Sequence, residues 1–386
     1  MKIRSALVAV TAAAAIFALA GCTPAGGGTT TEVDAGVAAE IDAALAEITG
    51  TVLSTGPNGE EPSSVDTSVV TDEQAAEIAG MGLKAAIVMH YGGNDWANAQ
   101  IDGLNSEFKR LGIQVIATTD ADFDPATQVS QIETVLTQDP DIIVSIPTDP
   151  VATASAYRKA AEQGVKLVFM DNVPDGFVAG QDYVSMVSAD NYGNGVTSAY
   201  LLARSLGGQG KIGVIYHEAD FFVTKQRYEG FKDTITEKFP DIEIVQEQGI
   251  AGPDFAGDAQ GVANAMLTKN ADLDGIWAVW DVPAEGVMAA ARETGRTDIK
   301  IATEDLGTNV AIALAKNQMV VGLGAQLPFD QGVAEADLAA LSILGQAVPS
   351  YVALSSLPVD HENVLEAWEK VYGSEAPAPV RDAYVD

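Results

Sequence analysis

The sequence predicts an α/β protein of two doubly wound lobes, each a parallel sheet covered by helices on both faces. Three observations carry this. From residue 83 onward, short apolar runs alternate with amphipathic stretches, the pattern of strands buried between helices. The alternation runs through one series and begins again near Asp190, so two such sheets are expected. The chain has 386 residues, 47% hydrophobic and 19% charged: a folding composition, and a length beyond what one core serves.

The first 21 residues are of another kind. Lys2 and Arg4 precede an apolar run of about 15 residues, shorter than the roughly 20 of a membrane-spanning helix. Small residues follow, completing a secretory signal peptide over 1–21. The one cysteine, Cys22, closes Leu19-Ala20-Gly21-Cys22. That ending resembles the lipobox of bacterial lipoproteins. The resemblance implies cleavage before Cys22 and a diacylglycerol on its thiol. The mature protein is then exported and lipid-anchored to the outer face of the cytoplasmic membrane, at the cell surface or in the periplasm. With Cys22 lipidated, no thiol remains for a disulfide, a thiolate metal site or a nucleophile.

Residues 22–82 read as tether and N-terminal extension. Residues 23–31 are rich in Pro, Gly and Thr, a flexible composition. Val37, Ile41, Leu45 and Ile48 have helical spacing, residues 55–68 are loop-like, and a short helix is expected over 72–78. The extension either holds the body off the membrane or packs against it as an arm.

In the first lobe, strands are expected over 85–89, 114–117, 142–146 and 166–170, with helices over 96–111, 126–138 and 152–163. In the second, the strands are 212–216, 242–245, 275–279, 299–302 and 320–323. Its helices are 193–206, 224–238, 259–269, 283–294 and 309–316. Acidic residues number 54 against 21 basic, a formal charge of −33, which repels nucleic acid phosphates and anionic lipid. Neither nucleic acid nor a basic membrane patch is therefore an expected partner, and the lipid is the anchor.

Open parallel sheets bind ligands beyond the carboxyl ends of their strands. There the sequence places His90, Asn94 and Trp96, then Asp171 and Asn172. In the second series it places Arg227, Phe255, Trp280, Asp281, Asp305 and Gln326. Amides, carboxylates, one guanidinium and large aromatics suit a neutral polyhydroxylated ligand. Hydroxyls donate to carboxylates and accept from Arg and Asn, while the C–H faces of a sugar lie on aromatic rings. Trp277 reads as core, and His217 and His361 as structural or exposed.

On these residues, residues 83–364 resemble the type I periplasmic binding proteins of sugar ABC importers, similar to the ribose-binding kind. The family's polar strand-end residue falls on His90, its loop asparagine on Asn94 and its first aromatic on Trp96. Its aspartate after the fourth strand falls on Asp171, its arginine before Gly-Phe on Arg227, and its second-lobe phenylalanine on Phe255. Its later aspartate falls on Asp305 and its hinge glutamine on Gln326, in Gln326-Leu327-Pro328. Ala97, Asn172 and Trp280 depart from the pattern and change the pocket's shape. The resemblance implies three chain crossings, near Ser188, Gln326 and Leu357. The first lobe is then 83–188 plus 327–356, and the second 189–326 plus 357–386.

The resemblance further implies a monomer that closes on a sugar or sugar alcohol and delivers it to an ABC permease and its ATPase, without catalysis or cofactor. A sensory receptor of the same fold is the alternative reading. Less favoured are a secreted carbohydrate enzyme and a transcription repressor. Glycine motifs for phosphate, a nucleophile elbow and metal-ligand spacing are all missing from the sequence.

Overall fold

The computed structural model describes residues 35–219 and 221–385, so the signal peptide, Cys22 and residues 23–34 lie outside the described residues. The extension carries α1 (Ala35–Ile48) and α2 (Asp72–Ala79). The first series is β1 (Lys84–Met89), α3 (Asp95–Arg110), β2 (Gln114–Asp120), α4 (Pro125–Leu136), β3 (Ile142–Ser145), α5 (Ala154–Glu162), β4 (Lys166–Met170) and β5 (Ser185–Ala189). The second opens with α6 (Asn191–Leu206), β6 (Gly210–His217), α7 (Phe222–Lys238), β7 (Ile242–Ile250) and α8 (Phe255–Lys269). It continues with β8 (Gly275–Ala278), α9 (Asp281–Thr294), β9 (Lys300–Glu304), α10 (Thr308–Ala315) and β10 (Val320–Ala325). The chain ends with α11 (Pro328–Ile343), β11 (Tyr351–Leu354), β12 (Leu357–Val359), α12 (Val364–Tyr372) and α13 (Ala378–Arg381).

Two six-stranded sheets result, in the orders β2-β1-β3-β4-β5-β11 and β7-β6-β8-β9-β10-β12. All pairings are parallel except β10–β12. In each sheet the order reverses beside the first strand of its series, the switch point where a crevice opens at the strand ends. The chain crosses between sheets three times: β5 to α6, β10 to α11, and β11 to β12. The strands β1 and β8 are apolar and buried throughout or nearly so, as parallel strands covered on both faces must be.

Six elements fall outside the sequence-predicted set: β5, α11, β11, β12, α12 and α13. The sequence pattern of α11 hides its burial, because Gln331, Glu335 and Asp337 face inward and break the apolar period. The observed β7 extends past its predicted end, through an alternating polar stretch to Ile250.

The extension packs against the body along its described length. Helix α1 lies on α6, with Ile41 in the core cluster of Trp277 and Phe231, and Asp42 paired to Arg204 at 2.9 Å. Residues 53–54 then meet Asp190, the N-cap of α6 at the first crossing. The buried Asp190 carboxylate accepts the Leu53 N–H (2.8 Å), the Ser54 N–H (2.8 Å) and the Ser54 hydroxyl (2.6 Å), besides its cap bond from Gly193. Ser54 Oγ in turn accepts the Tyr192 N–H at 3.0 Å. Farther on, Ser63 pairs with the edge strand β11, and Val70 and Ile78 enter the first lobe's core. One segment thus fastens to the second lobe, the hinge and the first lobe in turn.

Ser54→Ala removes a hydrogen bond to a charged acceptor and strands the Tyr192 N–H. It should lower stability by about 1–3 kcal/mol. Urea unfolding reads this as a lower midpoint with an unchanged slope; a wild-type midpoint would show that the extension does not brace the hinge.

Candidate functional site

Between the lobes lies a cavity of about 370 Å³, lined from both sides by residues that follow strand ends. Its floor is polar. Asp171 follows β4 and Asp305 follows β9, both in the left-handed region (φ 52° and 65°), which short polar residues tolerate better than most. In the second lobe, Glu304 points into the core, toward Ser198 and Trp277, while its neighbour Asp305 points into the cavity.

Arg227 reaches the floor from α7. Helices α6 and α7 touch closely because Gly195 and Gly230 carry no side chain: a Cβ on Gly195 would lie 2.1 Å from the Arg227 carbonyl oxygen. Arg227 Nη1 donates to Asp305 Oδ2 at 2.9 Å and its Nε donates to Asn191 Oδ1 at 3.0 Å. Asn191 Nδ2 donates to Ser188 Oγ at 3.0 Å, and Ser188 Oγ donates to Asp171 Oδ1 at 2.7 Å. Gln326 Nε2 donates to Asp305 Oδ1 at 2.7 Å. These bonds form one chain, Gln326–Asp305–Arg227–Asn191–Ser188–Asp171, that crosses from lobe to lobe through the hinge. Burial works against the Arg227 charge, but Asp305, Glu304 and Asp171 outweigh it and hold the guanidinium pKa above its usual value. Burial pushes Asp171 up to about 6, against the hydrogen bond from Ser188 and the nearby Arg227.

The walls are aromatic. His90 meets Phe123 edge-on at 4.9 Å and Trp96 at 6.1 Å, and lies parallel to Phe221 of the other lobe at 6.3 Å. Burial keeps its imidazole neutral, lowering its pKa to about 3. Trp280 meets Phe255 at 5.0 Å, and His217 meets both. Phe123 faces Phe255 across the cleft at 6.2 Å. Asn94 spends its Oδ1 on capping α3, at 2.8 Å from the Ala97 nitrogen. The His90 Nδ1, the Trp96 indole N–H and the Gln326 Oε1 are buried without hydrogen-bond partners among the described residues.

The lobes also touch outside the cavity. Asp95 Oδ2, from the first lobe, accepts the Thr308 N–H and hydroxyl, each at 2.7 Å. Helix α10 has no cap of its own, since Gly307 stands at its N-cap, so a carboxylate of the opposite lobe caps it. The structure is therefore a closed form.

Nine of the sequence-predicted residues line this cavity: His90, Asn94, Trp96, Asp171, Arg227, Phe255, Trp280, Asp305 and Gln326. Asn172 and Asp281 are buried beside it but do not line it. Asn172 turns away to the Pro147 carbonyl at 3.3 Å. Asp281 sits against Gly307, and burial together with Asp305 and Glu285 raises its pKa well above the usual carboxylate value. Trp277 is core, stacked on Phe231 at 4.6 Å. His217, read from sequence as structural or exposed, lines the cavity instead. The available signal was positional: His217 ends β6 as His90 follows β1, each series' first strand. Tyr91, Phe123 and Phe221 were also missed, because loop aromatics have no periodicity to read. Among the described residues no three metal-ligating side chains cluster.

The folded chain keeps a proton on Asp171 that the unfolded chain releases, between the ordinary 3.8 and about 6. Through this group, stability should fall as pH rises across that window and level off above it, by on the order of 3 kcal/mol. Asp171→Asn should remove that component. Parallel stability profiles of wild type and variant from pH 4 to 7, in urea unfolding without ligand, would contradict it.

A family model described as a periplasmic binding protein domain matches residues 85–347. A ribose import binding protein of Bacillus subtilis is 27% identical over 227 residues, 58% of this chain and 70% of its own. A putative rhizopine-binding protein of Rhizobium meliloti is 25% identical over 316 residues, 78% of this chain and 94% of its own. Among solved structures, an ABC transporter solute binding protein from Agrobacterium vitis with bound allitol superposes with a TM-score of 0.65. It is 25% identical, over 75% of this chain and 99% of its own. These relatives bind solutes and are not enzymes, nor is this protein. With two parallel-sheet lobes, three crossings and a family match across most of its length, the chain belongs to the periplasmic binding protein family, in its type I form.

Proposed function

We propose that this protein is an exported, lipid-anchored receptor that captures a sugar or sugar alcohol between its lobes and delivers it to an ABC importer. The observation that carries this is the cleft itself: a hydrogen-bonding floor and ring-lined walls, contributed by both lobes and closed over by the Asp95–Thr308 contact. Only a ligand that touches both lobes can favour the closed form, because a ligand held by one lobe interacts equally with both states. Ribose and allitol, named for two relatives, are ligands of the polyhydroxylated kind that such a floor serves. The volume lies in the range of small-molecule sites. The lobes act as the hinged units, with His90, Asn94, Trp96, Asp171, Arg227, Phe255, Trp280, Asp305 and Gln326 contacting the solute. The anchor rests on Cys22 in its lipobox-like setting.

A thermal-shift screen over pentoses, hexoses and polyols identifies the ligand, since one that binds only the folded form raises the midpoint. Arg227→Ala and Asp305→Ala should each then weaken its binding by about 2–5 kcal/mol, because a buried charge loses its partner. Calorimetry on folded variants decides, and wild-type affinity in both would remove them from the site.

Saturating ligand should also shrink the radius of gyration in small-angle scattering without changing the oligomeric state. Asp95→Ala should blunt that shrinkage, because closure then no longer gains the cap on α10. An unchanged radius despite tight binding would rule out hinge closure.

Cys22→Ser should abolish lipid attachment. Detergent-phase partitioning tests this, and equal aqueous partitioning of wild type and variant would refute the anchor.

A further inference from the structure

We propose that the solute this cleft takes is an aminated sugar or polyol, whose ammonium group sits on Asp171. The inference rests on the polyol reading above and narrows it. It begins with the charges of the cavity. Among the described residues that line it, the charged side chains are Asp171, Arg227 and Asp305. Arg227 and Asp305 neutralise one another at 2.9 Å, and the second oxygen of Asp305 is taken by Gln326. Asp171 makes no contact ion pair among the described residues: Arg227 attracts it only through space, its guanidinium being bonded to Asp305 and Asn191. The partners of Asp171 are neutral donors, the Ser188 hydroxyl at 2.7 Å and the Gln331 amide at 3.3 Å, and both bond the same oxygen, Oδ1. Its Oδ2 has no hydrogen-bond partner among the described residues and is not sealed off by protein.

A carboxylate enclosed with no counter-charge is costly, and a closed cleft deepens that cost by excluding water. A ligand ammonium would remove it, through a short charge-assisted hydrogen bond to the open oxygen. The surroundings favour a cation as well. Burial raises the pKa of Tyr91 on the cavity wall, and the nearby Asp120 and Asp122 raise it further. Both histidines in the cavity are pushed toward the neutral form by burial, so neither supplies positive charge. The rings of Trp96, Trp280, Phe221 and Phe255 line the space, and aromatic rings attract ammonium groups over their faces. Rings alone serve a neutral sugar equally well. The carboxylate without a cation is what separates the two classes. The remaining polar floor, Arg227 and Gln326, is left for hydroxyls.

The test compares ligands that differ only in the amino group. Calorimetry at pH 7.5 would use D-glucose with D-glucosamine, D-galactose with D-galactosamine, and xylitol with 1-amino-1-deoxyxylitol. The aminated member of at least one pair should bind tenfold or more tightly than its neutral parent, and Asp171→Asn should erase the difference. If in every pair that binds the neutral member binds as well as or better than its aminated partner, this inference is overturned and the polyol reading stands. A preference that survives in Asp171→Asn also overturns it, since the carboxylate would not be the recogniser. Silence from every compound, neutral and aminated, counts against both readings.

Discussion

The buried hydrogen-bond chain from Gln326 through Asp305, Arg227, Asn191 and Ser188 to Asp171 is the constraint around which the rest of the molecule is arranged. It holds a guanidinium and two carboxylates largely out of water, a cost that its hydrogen bonds and the Arg227–Asp305 ion pair offset. Three of its members also stand at or beside the chain crossings. Ser188 lies in β5, Asn191 opens α6, and Gln326 follows β10. On the proposed function, recognition and hinge are therefore built from the same residues. On that reading, a ligand bound at the floor acts directly on the segments where the chain crosses between the lobes.

Two contacts outside the cavity bear on that motion from opposite sides. At the mouth, Asp95 caps a helix of the other lobe, a bond available only when the lobes meet. Behind the hinge, the extension runs from α6 past Asp190 to the edge of the first sheet, adding non-covalent attachment to the three covalent crossings. Asp190 joins two duties there, capping α6 and holding residues 53–54, so the helix that enters the second lobe and the strap share one carboxylate. The extension also covers the β11 edge, which would otherwise present unpaired backbone groups.

The walls supply what the floor does not. Rings from both lobes approach one another, His90 to Phe221 and Phe123 to Phe255, so closure buries apolar surface while the floor supplies direction. Desolvation keeps His90 neutral, and the charge pattern of the cavity is left to Asp171, Arg227 and Asp305.

Much of this was legible in the sequence, for a local reason. Parallel strands buried on both faces are apolar runs, amphipathic helices repeat at their own period, and in a doubly wound sheet the residues after each strand converge. That rule alone brought His90, Asp171, Trp280, Asp305 and Gln326 to one cavity. What only the tertiary structure decided depends on turn dihedrals and on contacts between distant segments. The left-handed turn at Asp171 sends it into the cleft and leaves the adjacent Asn172 facing Pro147. Phe221 and Phe123 become walls only because two lobes close on one another, and Ser54 meets a carboxylate 136 residues away. Spacing along a chain encodes which face of its own element a residue occupies; which partner waits there is settled by packing.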